Sequence, residues 1–148
     1  MLDLRLVRQE ALPATLEALE RESVAQGFTM VTRLRTEWAS GANRFDRSGE
    51  IFLAAVQDDR LVGVGGLNID PYAGDPSLGR LRHLYVLEVA RRHGVGRALV
   101  ERLVADATGH FAAIRLRTGQ AASFYANLGF ETVEEPQATH RLRLWRGG

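Results

Sequence analysis

The chain has 148 residues, 45% of them hydrophobic, and a net charge of +1 at pH 7, which is length enough for one domain that buries its own core without disulfides or structural metal. All 19 basic residues are arginine, set against 18 acids with no long basic run, so a nucleic-acid surface is not indicated and lysine chemistry is excluded. The absence of cysteine excludes disulfides, thiolate metal ligands and a cysteine nucleophile.

Residues 1–148 read as a single domain. The start, Met1-Leu2-Asp3-Leu4-Arg5, carries charges where a signal peptide has an apolar run. No segment approaches the ~20 apolar residues of a membrane span. The expectation is a cytoplasmic protein with no membrane or nucleic-acid partner.

Leu2, Leu4 and Leu6 alternate with Asp3 and Arg5, the period of a strand. Pro13 suits a first helical turn, with Leu12, Leu16 and Leu19 on one face and Glu17 and Arg21 paired on the other. After Gly27, the helical spacing of Met30, Leu34 and Trp38 predicts a second helix ending near Ser40-Gly41-Ala42-Asn43, with Glu37 close to its end. The apolar runs Ile51 to Val56 and Leu61 to Leu67, joined by Gln57-Asp58-Asp59-Arg60, predict a β-hairpin. Gly63, Gly65 and Gly66 imply that a ligand or another backbone approaches the second strand closely. Asp70 to Gly79 is turn-rich and reads as a loop able to line a pocket.

From Arg80 the side chains alternate, which places Arg80, Arg82, Leu84 and Val86 on one face of a strand and Leu81, His83 and Tyr85 on the other. By that alternation His83 is structural and faces away from any pocket. Val95, Leu99, Leu103 and Ala107 recur four apart in a helix stopped at Gly109. Phe111 to Leu116 is a strand. Gln120 to Leu128, closed by Gly129, is a short helix, and Phe130 to Glu134 and His140 to Trp145 are the last two strands. The order β-α-α-β-β-β-α-β-α-β-β predicts an α/β fold of the α+β type, a mixed sheet of about seven strands flanked by about four helices. The exposed sheet ends and the strand through Trp145 leave room for a homodimer.

Between the strand and the long helix lies Val89-Ala90-Arg91-Arg92-His93-Gly94-Val95-Gly96-Arg97. The first amides of a helix have no internal partner and the helix dipole is positive there, so such a turn can hold a pyrophosphate. It can equally be an ordinary glycine turn. A dinucleotide fingerprint fits worse, because Leu99 stands where a third small residue belongs, and a P-loop would need a lysine.

Arg91-Arg92-His93-Gly94-Val95-Gly96 resembles the Arg/Gln-x-x-Gly-x-Gly/Ala signature of the GNAT N-acetyltransferase family. Ala121-Ala122-Ser123-Phe124-Tyr125-Ala126-Asn127-Leu128-Gly129-Phe130 resembles its second signature, Ala-x-x-x-Tyr-x-x-x-Gly-Phe. The resemblance covers essentially the whole chain and is weakest before residue 50. It implies a GNAT-like acyl-CoA N-acyltransferase fold and acetyl transfer from acetyl-CoA to a primary amine of a small molecule, by direct attack through a tetrahedral intermediate and with no metal.

On that resemblance, the strand holding Leu84, Tyr85 and Val86 splays from its neighbour to pair with pantetheine. Arg91, Arg92, His93, Gly94, Val95, Gly96 and Arg97 cradle the pyrophosphate, and a backbone N–H near Val86 faces the thioester oxygen. Tyr125 is the general acid for the departing thiolate, the alternative being a packing residue with its hydroxyl bonded to backbone. Gln120 lies near the family's cofactor-contacting amide, although strict counting from Tyr125 gives Thr118, and either residue can instead cap the helix.

The family often draws its base from the strand face where this sequence has Arg80 and Arg82. Glu37, Asp70, Asp75 and His140 remain as base candidates, each of them also a plausible surface or structural group. Arg80 and Arg82, with Glu37, either bind an acceptor that carries a carboxylate or phosphate, or pair with Asp70 and Asp75. Tyr72 and Trp38 are candidate pocket walls or core. Two other readings compete: a catalytically silent acyl-CoA sensor or regulatory module on the same fold, and a protein N-terminal or lysine acetyltransferase.

Overall fold

A computed structural model of the chain describes residues 3–144. Seven strands, β1 (Leu4–Arg8), β2 (Ile51–Gln57), β3 (Arg60–Ile69), β4 (Leu78–Val86), β5 (Ala113–Leu116), β6 (Glu131–Glu135) and β7 (Ala138–Arg143), form one sheet in the order β1-β2-β3-β4-β5-β7-β6. Only β4 and β5 run parallel; the other neighbours are antiparallel. Four helices cover the sheet: α1 (Leu16–Ala25), α2 (Met30–Ser40), α3 (Val95–Ala107) and α4 (Ala122–Asn127). Leu2 and Trp145, which the sequence reading placed in the first and last strands, lie outside the described residues. No helix among the described residues is long and apolar enough to cross a membrane.

Both faces of the sheet are buried, which explains why β2 is a continuous apolar run. Ile51, Leu53 and Ala55 join Leu99 and Leu103 of α3 in one core. Phe52, between them in sequence, points the other way to Leu16 and Leu19 of α1 and Leu34 of α2. The β2–β3 hairpin turns through Asp58 (φ 50°) and Asp59 (φ 66°), both left-handed as a two-residue I′ turn requires.

Several boundaries differ from the sequence reading: β4 begins at Leu78, inside the stretch read as a loop to Gly79, and β7 begins at Ala138 rather than His140. Pro13 lies ahead of α1, its carbonyl accepting from Leu16 N–H at 3.1 Å, and the helix starts at Leu16. Regular pairing in β5 begins at Ala113; Phe111 precedes it and makes only an isolated bridge to Thr108. α4 begins at Ala122, because Thr118 Oγ1 accepts from Ala121 N–H (3.0 Å) in the turn before it.

Candidate active site

The site is built around an irregularity in β4. Pairing with β3 runs Gly63↔Val86 and Val64↔Tyr85, then resumes at Gly66↔Arg82, so β4 has one residue more than its partner between these pairs. His83 absorbs the excess at φ 60°. A bulge of this kind reverses which side chains face which way beyond it. Leu81, Leu84 and Val86 therefore all pack against the α3 core, whereas Tyr85 belongs to the α1/α2 core.

This corrects the strict alternation expected from the sequence. Leu84 and Val86 do not share a face with Arg80 and Arg82, and Tyr85 does not share one with Leu81. His83 also departs from its reading, because its ring meets Phe45 edge-on at 6.0 Å and lines the cleft described below. It is 7% exposed with no partner for Nε2. Burial first, then the charges of Arg82 and Arg33, push its pKa from 6.5 down to about 3, so the ring is neutral.

On its other side β4 pairs with β5 only through Leu78, Gly79 and Arg80. From Leu81 onward that edge has no strand partner, while β3 accompanies β4 to Val86. The strands separate around a cleft of about 1310 Å³, lined on one side by Leu81 to Val86 and on the other by Leu116 to Ala121 with Tyr125. An unpaired strand edge in a cleft offers backbone donors and acceptors to any ligand that carries amides.

The turn after β4 closes one end of this cleft. A single 3₁₀ turn, Glu88–Ala90, leads to Arg92 (φ 66°) and Gly94 (φ 81°), and α3 starts at Val95. The N–H groups of Arg92 through Arg97 have no acceptor among the described residues; Ala98 N–H is the first to bond, to the Gly94 carbonyl at 2.9 Å. A Cβ built on Gly94 would meet nothing within 4 Å, so the space before these amides is open. Free amides, left-handed backbone and the positive end of a 13-residue helix fit a pyrophosphate.

The residues of this turn differ in what they can do. Arg91 is engaged internally, donating through Nε to the Val86 carbonyl (2.9 Å) and through Nη2 to Gln26 (2.8 Å), with its guanidinium 5.4 Å from the Tyr85 ring centroid. It ties the turn to the end of β4 and to α1. Arg97 pairs with Glu101 one turn on (2.6 Å). Arg92 and Arg97 line the cleft, and His93 is exposed outside the lining.

Tyr125 is 5% exposed, packed between the rings of Phe124 (5.0 Å) and Phe130 (5.5 Å), and it lines the cleft. Its hydroxyl makes no hydrogen bond to the backbone or to another side chain among the described residues. Burial raises its pKa above the ordinary phenol value, and the oxygen keeps its proton. At the start of α4, Thr118 is occupied on both sides, accepting from Ala121 N–H and donating its own N–H to Thr139 Oγ1 (3.0 Å). The Gln120 side chain is exposed in the cleft and bonded to nothing.

The base candidates are scattered. Asp70 has a fully buried side chain, with Oδ2 accepting from Arg115 Nε (2.8 Å) and Oδ1 from Tyr72 N–H (2.8 Å). Asp75 is bonded to Ser77 by both backbone N–H and hydroxyl, which lowers its pKa. His140 is buried on β7 with Nδ1 2.9 Å from Thr139 Oγ1 and its ring 6.3 Å from that of Tyr125. Glu37 pairs through Oε2 with Arg82 Nη2 (3.2 Å) and leaves Oε1 unbonded. It lines a second pocket of about 450 Å³, which shares Tyr72 and Arg82 with the large cleft.

Sequence reasoning missed Arg115, whose guanidinium bonds Asp70, Glu135 (3.1 Å) and the Pro136 carbonyl (3.0 Å) and so ties the β3–β4 loop to the β6–β7 turn. Its signal was one charge inside the otherwise apolar run Phe111 to Leu116. Trp38 lines neither pocket and packs half-buried against the α1/α2 core, tilted to Phe45 (6.3 Å) and edge-on to Phe52 (5.6 Å).

Residues 48–132 match the sequence model of the acetyltransferase (GNAT) domain. Among solved structures, a protein of Exiguobacterium sp. 255-15 assigned as an acetyltransferase is 30% identical with a TM-score of 0.87, covering 95% of this chain and 93% of its own. A GNAT-family acetyltransferase of Staphylococcus aureus Mu50 shares the fold at 16% identity, TM-score 0.73, over 97% of this chain and 100% of its own. So does the N-acetylglutamate synthase of Neisseria gonorrhoeae, solved with coenzyme A and N-acetylglutamate, at 20% identity and TM-score 0.71, over 96% of this chain and 36% of that one.

Proposed function

The chain belongs to the GNAT acetyltransferase family, and from that membership we propose that it transfers the acetyl group of acetyl-CoA to the primary amine of a small molecule. The observation that carries this reading is the opening between β4 and β5, with the row of free amides at its end and the Tyr125 hydroxyl on its wall. Acetyl-CoA supplies the activated acetyl group and the thiolate leaving group.

The chain's own groups do the rest. Amides from Arg92 to Arg97 bind the pyrophosphate, with Arg92 and Arg97 adding charge at the rim. The β4 edge through Leu84, Tyr85 and Val86 holds the pantetheine arm by backbone pairing, and Gln120 contacts it from α4. The Arg91 bond to the Val86 carbonyl fixes the strand end where a backbone N–H meets the acyl oxygen; one such fixed donor is worth roughly 3 kcal/mol of barrier. Tyr125 keeps its proton ready for the departing sulfur. Glu37, with one free oxygen beside Arg82, accepts the proton that the attacking amine gives up.

Calorimetric titration with acetyl-CoA tests the cradle. Saturable binding is expected, and Gly94→Trp, which fills the open space before the amides, weakens it by at least ~10-fold. Gly94→Asn, which tolerates the left-handed backbone at φ 81°, separates strain from steric exclusion. Affinity unchanged by the tryptophan would show that the ligand does not pass Gly94.

A further inference from the structure

We propose that the acceptor is an amine that also carries a carboxylate, and that Arg80 and Arg82 bind that carboxylate. This rests on the acetyltransferase reading above and names the class of its second substrate.

Arg80 is 6% exposed and makes no hydrogen bond, and its Nη1 is sealed without a partner. The nearest carboxylate oxygen, Asp70 Oδ2, is 3.6 Å away and already accepts from Arg115 at 2.8 Å. Both oxygens of Asp70 are thus occupied, and two buried guanidiniums share one carboxylate. The Tyr72 ring lies 4.7 Å from the Arg80 guanidinium carbon and covers one face, which leaves the in-plane donors as the groups to be met. Nη1 is closed off on the Asp70 side, whereas Nε and Nη2 also bond nothing among the described residues and are not sealed, so these two are the donors a ligand in the cleft would meet.

Arg82 stands two residues along the same strand, before the bulge, so both side chains share a face about 7 Å apart at their backbones. Its side chain is 8% exposed and gives one nitrogen to Glu37. Arg80 and Arg82 both line the cleft where the acetyl donor is placed, and Arg82 also lines the 450 Å³ pocket. That pocket holds two further buried groups without partners, Asn68 Oδ1 and Asn43 Nδ2. Its size and unmet polar atoms suit a small, polar, charged acceptor. Carboxylate is favoured over phosphate because the pocket is lined by Glu37, Asp46, Glu50, Asp70 and Asp75 against Arg44, Arg47 and Arg82, an acidic balance that repels a dianion more strongly than a monoanion.

The test compares matched acceptors: amino acids, including β-alanine and 4-aminobutyrate, against their decarboxylated amines, and O-phosphoethanolamine against ethanolamine. The wild type is expected to prefer the carboxylated partner by ~100-fold in kcat/KM, and Arg80→Met to reduce that ratio at least ~10-fold. Because Arg80 gives up no hydrogen bond, the methionine variant is also expected to melt no lower than the wild type, which a purely structural ion pair would not allow. Equal or better use of the decarboxylated amines, a preference for the phosphorylated amine, or a ratio untouched by Arg80→Met would overturn the proposal. A turnover-free readout runs beside it: N-acetylated amino acids raise the melting temperature of the wild type more than their carboxamides do, and the difference disappears in Arg80→Met. That difference without turnover on any amine would count against acetyl transfer and leave the carboxylate site standing; turnover without it would count against the site.

Discussion

His83 and Arg115 each carry one unusual residue-level fact, and both facts have consequences for stability. Arg115 is buried with three hydrogen-bonded partners, whereas His83 is buried with none for Nε2. A histidine held neutral by burial has its folded pKa below the unfolded one, here about 3 against 6.5. Its contribution is whole above pH 6.5 and is lost as pH falls toward 3, at about 1.4 kcal/mol per pH unit once the unfolded chain takes up the proton. Urea denaturation is therefore expected to show wild-type stability falling by about 2 kcal/mol more between pH 7 and pH 5 than that of His83→Asn, a residue that suits φ 60° and does not titrate. Parallel pH slopes would mean that the ring is not held neutral. Residue chemistry of this kind was only partly legible in the sequence. Arg80, Arg82 and Tyr125 could be singled out by type and position, but their partners could not: Asp70 lies 45 positions from Arg115, and nothing local links the two.

At the scale of elements, the sequence carried the periods and missed the register. The strand and helix signals rest on local patterns such as the Asp58-Asp59 turn or the four-residue spacing of Val95, Leu99, Leu103 and Ala107, and β1 to β7 with α1 to α4 appear in the predicted order. The bulge in β4 follows from how that strand meets β3, so a period-two reading passes straight through it and assigns Leu84, Tyr85 and Val86 to the wrong faces. The glycines of β3 suggest close approach of a backbone or a ligand, but at Gly66 the neighbour is a side chain of this chain. A Cβ there would sit 2.5 Å from Phe45 Cε1, and Phe45 is wedged between Trp38 and Phe52. Gly66→Ala is expected to lose about 1–3 kcal/mol in urea denaturation, with Phe45→Leu recovering part of it in the double variant. A neutral Gly66→Ala would mean that the Phe45 ring is free to move.

Across the whole molecule, the helices α1 and α2 and the helices α3 and α4 clamp the sheet from opposite sides, and the single parallel pair, β4 and β5, is where it opens. That one parting brings together groups far apart in the chain: the amides at the start of α3, the Gln120 side chain, and the Tyr125 hydroxyl. Parallel neighbours need a crossover between them, and here the crossover is α3, whose first turn faces the opening. The two signatures were therefore readable in sequence as separate stretches, while the pocket that shares Tyr72 and Arg82 with the cleft was not, because its walls come from the β3–β4 loop and from the distant segment between α2 and β2. On the proposed reading, this opening is where an acetyl group is transferred with Tyr125 as the acid. The most direct measurement follows free CoA with a thiol reagent, which a chain without cysteine does not consume, for wild type and Tyr125→Phe across an amine panel. Saturable release is expected of the wild type, with a fall of ~100-fold in kcat for Tyr125→Phe, acetyl-CoA affinity kept, and no alkaline loss from the tyrosine below pH ~10. Full activity in Tyr125→Phe, or acetyl-CoA binding with no release on any amine, would contradict it.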